Sequence, residues 1–452
     1  MATRSLDTLL RRLEAGSASS AELERATGQS QSAMSRRLRA LIAERRVLRM
    51  GSTRGARYAL LRELPGIGGQ WPLRRVGPDG AVDELGVLSA LAANEYYFES
   101  PMDSFAWHGL TQGLPYFLQD QRPGGFLGRA VPSRYPELAL PQRVIDWSDD
   151  HYLRYLTQRG ADTVGDLILG DIAFNQHLVQ QRQRVIVGGD ERAQRYPQFA
   201  TQVMEGGLPG SSAHGEHPKF ATLIEDAAGT RHVLVKFSPP MNTAVGERWA
   251  DLLIAEHLAH VVLLQAGLPT LRSQIHQFGD RTYLESDRFD RVGVEGRRGV
   301  TSLLAIDTAL YGQLDNWIAA ALRLQRDRRL DDAALESVRE ISTFGELIAN
   351  TDRHFGNLAF YDRYDGQFEL APVYDMLPML FSPEHDQIVE RAFDPPAPNA
   401  NTFQSYGRAR SLAQEYWQRC AQDLRISAGF RAICGSCAAA IDALPRVGAY
   451  AG

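Results

Sequence analysis

Cysteine and long apolar runs are scarce in this chain. Only Cys420, Cys434 and Cys437 occur in 452 residues. An odd, sparse count predicts no disulfide framework and fits a reducing cytoplasm. Cys434-Gly-Ser-Cys437 has redox or metal spacing, but no second such pair accompanies it, so we expect helical packing. No apolar run reaches the length of a membrane span, and the N-terminus lacks a signal-peptide core. These absences favour a cytoplasmic protein without a membrane partner.

Lysine is scarcer still among the charged residues. Of 49 basic side chains only Lys219 and Lys236 are lysines, and arginine fills the other positions. Where arginine serves every generic basic role, a remaining lysine indicates a specific use. A compact ammonium on a flexible stem acts as a point charge on phosphate. Chance retention of two lysines is the alternative.

The charge is spread unevenly along the chain. Residues 1–60 contain twelve arginines and five acidic residues, a balance of +7. Because the whole chain carries −5, residues 61–452 carry −12. This asymmetry predicts that the N-terminal segment meets a polyanion.

The pattern of residues 1–62 predicts a winged helix-turn-helix domain. Leucines at helical spacing end at Gly16, Ser19 with Glu22 or Ser20 with Glu24 begins a second helix, and Ser30 or Ser32 begins a third. Two short strands, Val47–Met50 and Tyr58–Leu60, would flank an arginine-containing tip. This order favours binding of double-stranded DNA, and a protein-interaction module with a solvated basic face is the alternative. The groove-facing residues, followed by two on the wing near phosphate or the minor groove, would be Gln29, Ser30, Gln31, Ser32, Ser35, Arg36, Arg39, Arg54 and Arg57.

Residues 63–190 carry no readable chemistry. We interpret Leu64–Pro72 as a linker and Leu73–Val76 with Val82–Leu88 as a hairpin. Helices are predicted near His151–Arg159, Thr163–Leu169 and Ile172–Val179. The histidines His108, His151 and His177 are expected to be surface or packing residues.

The next stretch has features of a nucleotide site. A glycine- and serine-rich loop containing Gly215 precedes two alternating strands, Phe220–Ile224 and Val233–Phe237, and such a loop can place backbone N–H groups on phosphates. Lys236 in the second strand needs an anionic partner, because an unpaired buried charge is costly. Glu256 lies in the middle of the following predicted helix, and kinases pair a strand lysine with a helix glutamate in this way.

Three oxygen-bearing side chains, Asp352, Asn357 and Asp375, stand out further along. A predicted hairpin of Leu358–Tyr361 and Phe368–Ala371 folds the chain back, so that Asp375 can approach Asn357. Phosphoryl transfer needs Mg²⁺ on hard oxygen ligands and an acceptor that orients the attacking hydroxyl, and protein kinases use Asp, Asn and Asp in this order. The spacing of Asp352 and Asn357 alone is weak, and a capped loop with a surface turn is the alternative.

Taken together, residues 205–378 resemble the HipA-type serine/threonine kinases, the toxins of bacterial toxin–antitoxin systems. His217 stands where that family has glutamine and Gly356 where it has lysine, so rate or substrate choice is expected to differ. The matching segments are Gly215-Glu-His-Pro-Lys219, Val235-Lys236-Phe237, Glu256 eleven residues before Gly267-Leu268, Asp287–Arg291, Asp352-Arg-His354-Phe-Gly356-Asn357 and Pro372-Val-Tyr374-Asp375.

The resemblance implies roles for these residues, with ATP and Mg²⁺ as cofactors. Asp352 would be the base with His354 near the phosphates, and Asn357 and Asp375 would hold Mg²⁺. Lys236 would grip the α/β-phosphates and pair with Glu256, Asp287 and Phe289 would meet adenine, and Gly215 and Lys219 would belong to the phosphate loop. Ser212, or the adjacent Ser211, would be autophosphorylated to switch the kinase off. The implied targets are translation components such as an aminoacyl-tRNA synthetase, and a homodimer is left open.

The predicted fold is α+β: a winged helix-turn-helix in residues 1–62, a HipA-like N-terminal subdomain in 63–190 and a kinase core in 191–452, with a two-lobed protein-kinase-like fold. This resembles the longer branch of the family with a fused winged helix, which would supply DNA tethering, self-repression or restraint and associate the protein with the nucleoid. Two alternatives stay open: a transcription regulator with a nucleotide-sensing pseudokinase module, and a small-molecule phosphotransferase. Intact Lys236, Asp352, Asn357 and Asp375 argue against the pseudokinase.

Overall fold

A computed structural model of the chain describes residues 2–52, 55–102, 105–205, 217–385 and 387–444. No helix within these ranges combines the length and the apolar character that crossing a membrane requires.

Residues 2–60 form three helices and a small sheet around one core. Leu9, Leu13, Leu23, Met34 and Leu38 are buried together. The elements are α1 (Ala2–Glu14), β1 (Ala18–Ser19), α2 (Ser20–Thr27), α3 (Gln31–Ala43), β2 (Val47–Met50) and β3 (Arg57–Leu60), with the sheet in the order β1-β3-β2. A capping box begins α2: the Ser19 hydroxyl accepts from the Glu22 N–H, and the Glu22 carboxylate accepts from the Ser19 N–H at 2.7 Å. The helix and strand positions expected here are therefore present.

The middle segment is built on an antiparallel sheet in the order β7-β6-β5-β4-β8. The predicted hairpin is present, but the predicted helix Thr163–Leu169 is wrong, since Leu167–Leu169 forms a buried strand beside β4. A short run of apolar residues does not distinguish a buried strand from a helix. The elements are β4 (Gln70–Val76), β5 (Val82–Ala90), β6 (Glu95–Glu99), β7 (Gly109–Gln112), α4 (Gly125–Arg129), α5 (Val131–Arg134), α6 (Asp149–Arg159), β8 (Leu167–Leu169) and α7 (Asp171–Arg182).

The segment interpreted as a linker is packed against this sheet. Leu64 and Trp71 are buried in the core of the middle segment. The Arg62 guanidinium donates to both Asp150 carboxylate oxygens at 2.6 Å and to the Leu91 carbonyl at 3.2 Å. The N-terminal helices are thus joined to the rest of the chain by specific contacts rather than by an exposed tether.

A second five-stranded sheet, in the order β12-β13-β11-β10-β9, forms the upper wall of the cleft described below. In the antiparallel pair β10 and β11, Lys219 is the direct cross-strand partner of Lys236. The two lysines of the chain are therefore neighbours. The elements are β9 (Ile186–Gly188), α8 (Arg192–Met204), β10 (Lys219–Asp226), β11 (Gly229–Phe237), α9 (Ala244–Gln265), β12 (Ser273–Phe278) and β13 (Arg281–Asp287).

The remaining chain is mostly helical and packs with α9 around the largest apolar core. All three cysteines are buried and free on α13 and α14, which confirms the expectation of helical packing. The elements are β14 (Arg291–Val292), β15 (Gly296–Arg297), β16 (Val300–Ser302), α10 (Leu303–Leu310), α11 (Trp317–Arg326), α12 (Asp332–Leu347), β17 (Ala359–Asp362), β18 (Phe368–Leu370), α13 (Phe403–Gln422) and α14 (Ala428–Ala443).

Candidate active site

A cleft between the second sheet and the helical part collects side chains from both. The sheet contributes Lys219 and Lys236, α9 contributes Glu256, and the chain around the β17–β18 hairpin contributes Asn357 and Asp375. Residues separated by more than one hundred positions therefore line one cavity.

Lys236 is the centre of a buried charge cluster. Its Nζ donates to Glu256 Oε1 at 2.5 Å and Oε2 at 2.7 Å, and also to Asp375 Oδ1. Burial lowers the pKa of Lys236, but Asp375 and Glu256 outweigh burial and raise this pKa above its ordinary value. Burial raises the pKa of Glu256, and the adjoining Lys236 opposes that rise. The lysine is therefore charged and held between two elements.

Asp375 is held as an ionised carboxylate. Burial would raise its pKa, but Lys236 and then Lys219 lower the pKa of Asp375 to about 2. Its backbone has φ of 53°, a left-handed conformation that is uncommon for a residue other than glycine. Such local strain persists only where the surroundings fix it, and it is concentrated at functional sites.

Asn350 connects the two aspartates and was missed by the sequence analysis. Its buried side-chain amide donates to the Asp375 carbonyl at 3.2 Å, and its amide oxygen accepts from the Asp352 N–H at 3.0 Å. An asparagine two residues before Asp352 was the only available signal, and asparagine is common near helix ends. Asn350 fixes the relative position of Asp352 and Asp375.

Asp352 lies at the edge of the cleft and faces outward. Asn357 Nδ2 donates to the Asp352 carbonyl at 2.7 Å, and His354 Nε2 lies 3.9 Å from Asp352 Oδ1. The Asp352 side chain is about half exposed and lines an adjoining pocket with His354 and Trp317. Burial and the charge of Asp375 raise the pKa of Asp352, while His354 lowers it. A hydroxyl from a partner molecule can approach Asp352 from this open side.

The residues expected at the adenine are present in the wall of the cleft. Phe289 stacks on Tyr374, with ring centroids 5.7 Å apart, and Tyr374 donates its hydroxyl to the Gly356 carbonyl at 2.7 Å. The Asp287 carboxylate accepts from Arg231 Nε at 2.8 Å. Burial raises the pKa of Asp287 and Arg231 opposes this. The ring of Phe289 is therefore open to the cleft, whereas the Asp287 carboxylate is engaged by the protein.

A buried ionic network behind Asp287 was also missed. Glu285 accepts from Arg192 Nε at 2.7 Å, from Arg231 Nη2 at 2.8 Å and from the Tyr196 hydroxyl at 2.5 Å. Burial would raise the pKa of Glu285, but His276, whose Nε2 lies 3.4 Å from Oε2, and the hydrogen bonds from Arg192 and Tyr196 lower this pKa to about 2. In the sequence, this network is indicated by a glutamate that follows apolar residues within a strand. The network anchors β13 behind the cleft.

The described residues include only the end of the glycine- and serine-rich loop. Gly215, Ser211 and Ser212 lie outside the described residues, as does Arg54. His217 is described: its ring packs against Trp249 at 4.8 Å, and burial, followed by Lys236 and Lys219, lowers the pKa of His217 to about 3. A neutral imidazole therefore stands near the two lysines.

The donor set fits Mg²⁺ with a nucleotide. Asn357 and Asp375 offer amide and carboxylate oxygens, which are hard ligands. Among the described residues no group of three or more His, Cys, Asp and Glu side chains could hold a metal by itself. Mg²⁺ is commonly bound by one or two carboxylates together with water and substrate phosphates, so a sparse donor set suits it.

The N-terminal residues expected at DNA divide into two groups. Gln31, Ser32, Arg36 and Arg39 are exposed on α3, opposite its buried apolar face, and Ser35 is half-buried and accepts from Arg39 Nη2 at 3.3 Å. Arg57 is half-buried, and its guanidinium donates to the Ser17 carbonyl at 2.7 Å. In this arrangement α3 presents a free polar surface, while Arg57 contacts the protein itself.

Comparisons with known proteins cover both large segments. A family described as "HipA-like C-terminal domain" matches residues 211–444, and one described as "YjjJ-like toxin, middle domain" matches residues 67–178. Toxin YjjJ of Escherichia coli (strain K12) is 34% identical over 438 residues, 92% of this chain and 93% of that protein. A chain of the Shewanella oneidensis MR-1 complex of HipA, HipB and operator DNA superposes with a TM-score of 0.53 at 15% identity, over 82% of this chain and 95% of that chain.

Proposed function

The chain belongs to the HipA-like toxin family, and from this premise we propose that it is an ATP- and Mg²⁺-dependent serine/threonine protein kinase with a fused DNA-binding domain. The protein substrate would be a component of translation such as an aminoacyl-tRNA synthetase. The loop serines Ser212 and Ser211 would be a second target, and a homodimer remains compatible with this proposal.

The observation that carries the kinase proposal is the shared cleft of Lys236, Glu256, Asn357 and Asp375. A strand lysine paired with a helix glutamate is the arrangement that positions nucleotide phosphates in kinases. Lys219, the buried cross-strand neighbour of Lys236, adds a second positive charge on the same wall. Two ammonium groups facing oxygen ligands form a site for a phosphate chain with its metal.

The chain's own residues would divide the reaction between them. Asp352 would accept the proton of the attacking hydroxyl from the open side of the cleft while Asn350 holds its backbone in place. Lys236 would release Asp375 and donate to phosphate oxygens, with Glu256 keeping the ammonium in place. Asn357 and Asp375 would hold Mg²⁺, which supplies charge neutralisation at the phosphates. Phe289 and Tyr374 would pack against the adenine.

The DNA-binding proposal is supported by α3. Its exposed face carries Arg36 and Arg39, and residues 1–60 are strongly basic in an otherwise acidic chain. Three helices followed by a hairpin are the order of elements in a winged helix-turn-helix, in which the third helix enters the major groove. The Shewanella oneidensis complex contains HipB and operator DNA beside HipA, and here residues 1–62 would serve as the chain's own DNA-docking part.

The kinase proposal is tested by incubating the purified chain with labelled ATP and Mg²⁺, and by phosphoproteomics of cells that express it. We expect self-labelling in the wild type and new phosphoserine or phosphothreonine sites in translation proteins. Asp352→Ala should lose transfer by a factor of about 10²–10⁴, the usual contribution of general base catalysis, and should keep nucleotide binding. Asp365→Ala, an exposed aspartate in the hairpin turn, is the matched control. If Asp352→Ala transferred phosphate as fast as the wild type, Asp352 would not be the general base.

A further inference from the structure

A second polar cavity lies on the far side of the segment that carries Phe289. It is bounded by α7, β10 and the β14–β15 hairpin, and Arg288 contributes to the walls of both this cavity and the cleft. Its volume of about 170 Å³ exceeds the roughly 10–15 Å³ that one water molecule needs on the same measure. The side chains that matter for its chemistry are Arg184, Arg288, Arg291, Arg297 and His177.

Two of these arginines have their charges matched inside the protein. Arg291 donates to Asp290 Oδ2 and Asp162 Oδ1, both at 2.7 Å, and Arg288 donates to Asp290 Oδ2 at 2.8 Å. Arg297 has no carboxylate contact among the described residues: its Nη2 donates to the Ala161 carbonyl at 2.8 Å and lies 3.0 Å from His177 Nδ1. Burial and the neighbouring Arg291 lower the pKa of Arg297 to about 9.

The contact between Arg297 and His177 fixes the state of the imidazole. A guanidinium can only donate, so His177 Nδ1 must accept, and the neutral ring then carries its proton on Nε2. Burial, followed by the charges of Arg297 and Arg184, lowers the pKa of His177 to about 3. His177 Nε2 is therefore an N–H donor at neutral pH.

Three donors in this cavity lack an acceptor within the described part of the chain: Arg297 Nη1, His177 Nε2 and Arg184 Nη1. Arg297 and His177 are 4% and 2% exposed, so bulk water does not supply the hydrogen bonds that these donors lack. Arg184 Nη1 lies 3.9 Å from Glu295 Oε1, which is too long for a hydrogen bond. The cavity has four guanidinium groups and three nearby carboxylates, those of Asp162, Asp290 and Glu295, which leaves one positive charge in excess.

We propose that this cavity is a second binding site, distinct from the nucleotide cleft, for a small phosphate-bearing anion. A ligand that completes the site must bring several acceptor oxygens and negative charge, because every unsatisfied group is a donor. Inorganic phosphate and a phosphomonoester share this chemistry. Arg297 and His177 bind from the buried end, and Arg184 binds at the mouth.

The test measures binding of inorganic phosphate and of O-phosphoserine to the full chain by calorimetry and by thermal shift, at constant ionic strength set with sodium chloride. We expect saturable binding of at least one of the two. Binding of phosphate but not of phosphoserine identifies the free ion as the ligand, and the reverse identifies an ester. Absence of binding by both at millimolar concentrations would overturn the proposal.

Matched variants locate the site. Arg297→Gln and Arg184→Gln should each weaken binding roughly tenfold, since each removes a charge-assisted hydrogen bond. Arg298→Gln and Arg182→Gln change exposed arginines one and two residues away, outside the cavity, and should bind as the wild type does. Should Arg297→Gln fail to fold, the partly exposed Arg184 provides the deciding variant. Equal affinity in wild type, Arg297→Gln and Arg184→Gln would place the anion elsewhere and refute the proposal.

Discussion

Lys236 controls the charge balance of the cleft. Its side chain is 12% exposed and lies between carboxylates that are 2% and 21% exposed. Removing the Lys236 ammonium would leave the carboxylates of Glu256 and Asp375 facing each other without a positive charge between them, which is unfavourable. The two lysines retained in an arginine-rich chain are thus found side by side on one wall of the cleft.

Replacing Lys236 with methionine should destabilise the chain by about 3–5 kcal/mol near neutral pH, the usual cost of an uncompensated buried charge. The loss should shrink as the pH falls, because protonation of Glu256 and Asp375 removes the uncompensated charge. Urea unfolding at several pH values measures this. The control is Lys236→Met combined with Glu256→Gln, which should recover part of the stability. A loss that does not depend on pH would contradict the electrostatic explanation.

The dependence of phosphoryl transfer on pH should follow the ionisation of the Asp352 carboxyl group. Its pKa is raised above the ordinary value by burial, with the charge of Asp375 adding and His354 opposing. Activity requires the ionised carboxylate, so it is lost as the pH falls through this raised pKa. Removing His354 takes away the opposing influence, and in His354→Gln the acid limb should move to higher pH.

The measurement for His354→Gln is the dependence of kcat/KM on pH, beside wild type and His385→Gln. His385 lies outside the contacts of the cleft and serves as the control. An acid limb that stays in place in His354→Gln would show that the imidazole does not act on Asp352.

Among the helices and strands, α3 has an exposed face that carries Arg36 and Arg39. Arg36→Gln with Arg39→Gln should weaken DNA binding by the full chain and reduce the salt dependence of log Kd by about 1–2, since each lost phosphate contact lowers the slope by about 1. Titration of upstream DNA of the gene at several salt concentrations measures this slope. Arg11→Gln on α1, also exposed, should leave the slope unchanged. If the double variant kept the salt dependence of the wild type, α3 would not contact the DNA phosphates.

Elements with a long, regular pattern could be predicted from the sequence. The strands β10 and β11, the helix α9 and the β17–β18 hairpin lie where alternation and helical spacing placed them. The strand β8 could not be predicted, because three consecutive buried apolar residues carry neither period. The tight fit of Leu64 and Trp71 also escaped prediction, since Pro and Gly in that stretch indicated an open linker.

At the scale of the whole molecule, the N-terminal helices are connected to the middle sheet through Ser17. Its N–H donates to Glu95 Oε2 at 2.8 Å, and its hydroxyl accepts from Arg57 Nε at 3.1 Å. These polar contacts lie beside an apolar cluster in which Met50 and Ala59 of the N-terminal sheet pack against Leu91 of the middle segment.

Glu95→Ala should loosen this junction without altering the cleft. Loss of the carboxylate costs about 1 kcal/mol at a partly exposed site, so amide hydrogen exchange in residues 17–19 should accelerate about fivefold. Hydrogen–deuterium exchange followed by mass spectrometry measures it. Glu99→Ala, an exposed glutamate on the same strand, is the control. Unchanged exchange in Glu95→Ala would show that other contacts hold the junction.

Contacts between residues that are far apart in the chain could not be predicted from the sequence pattern alone. Asp375 lies 139 positions from Lys236, and their proximity was expected only through the order of motifs shared with a family. The cavity around Arg297 had no such guide, because its side chains come from five separate segments and His177 was expected to be a surface or packing residue. Burial and donor satisfaction are properties of the folded chain, so neither can be read from spacing.

The Lys236 ammonium donates to Asp375 and so places a positive charge against the carboxylate that would hold Mg²⁺ in the proposed reaction. This contact joins the five-stranded sheet that contains β11 to the helical part of the chain. Binding of Mg²⁺ at Asp375 would therefore replace one cation with another at this carboxylate.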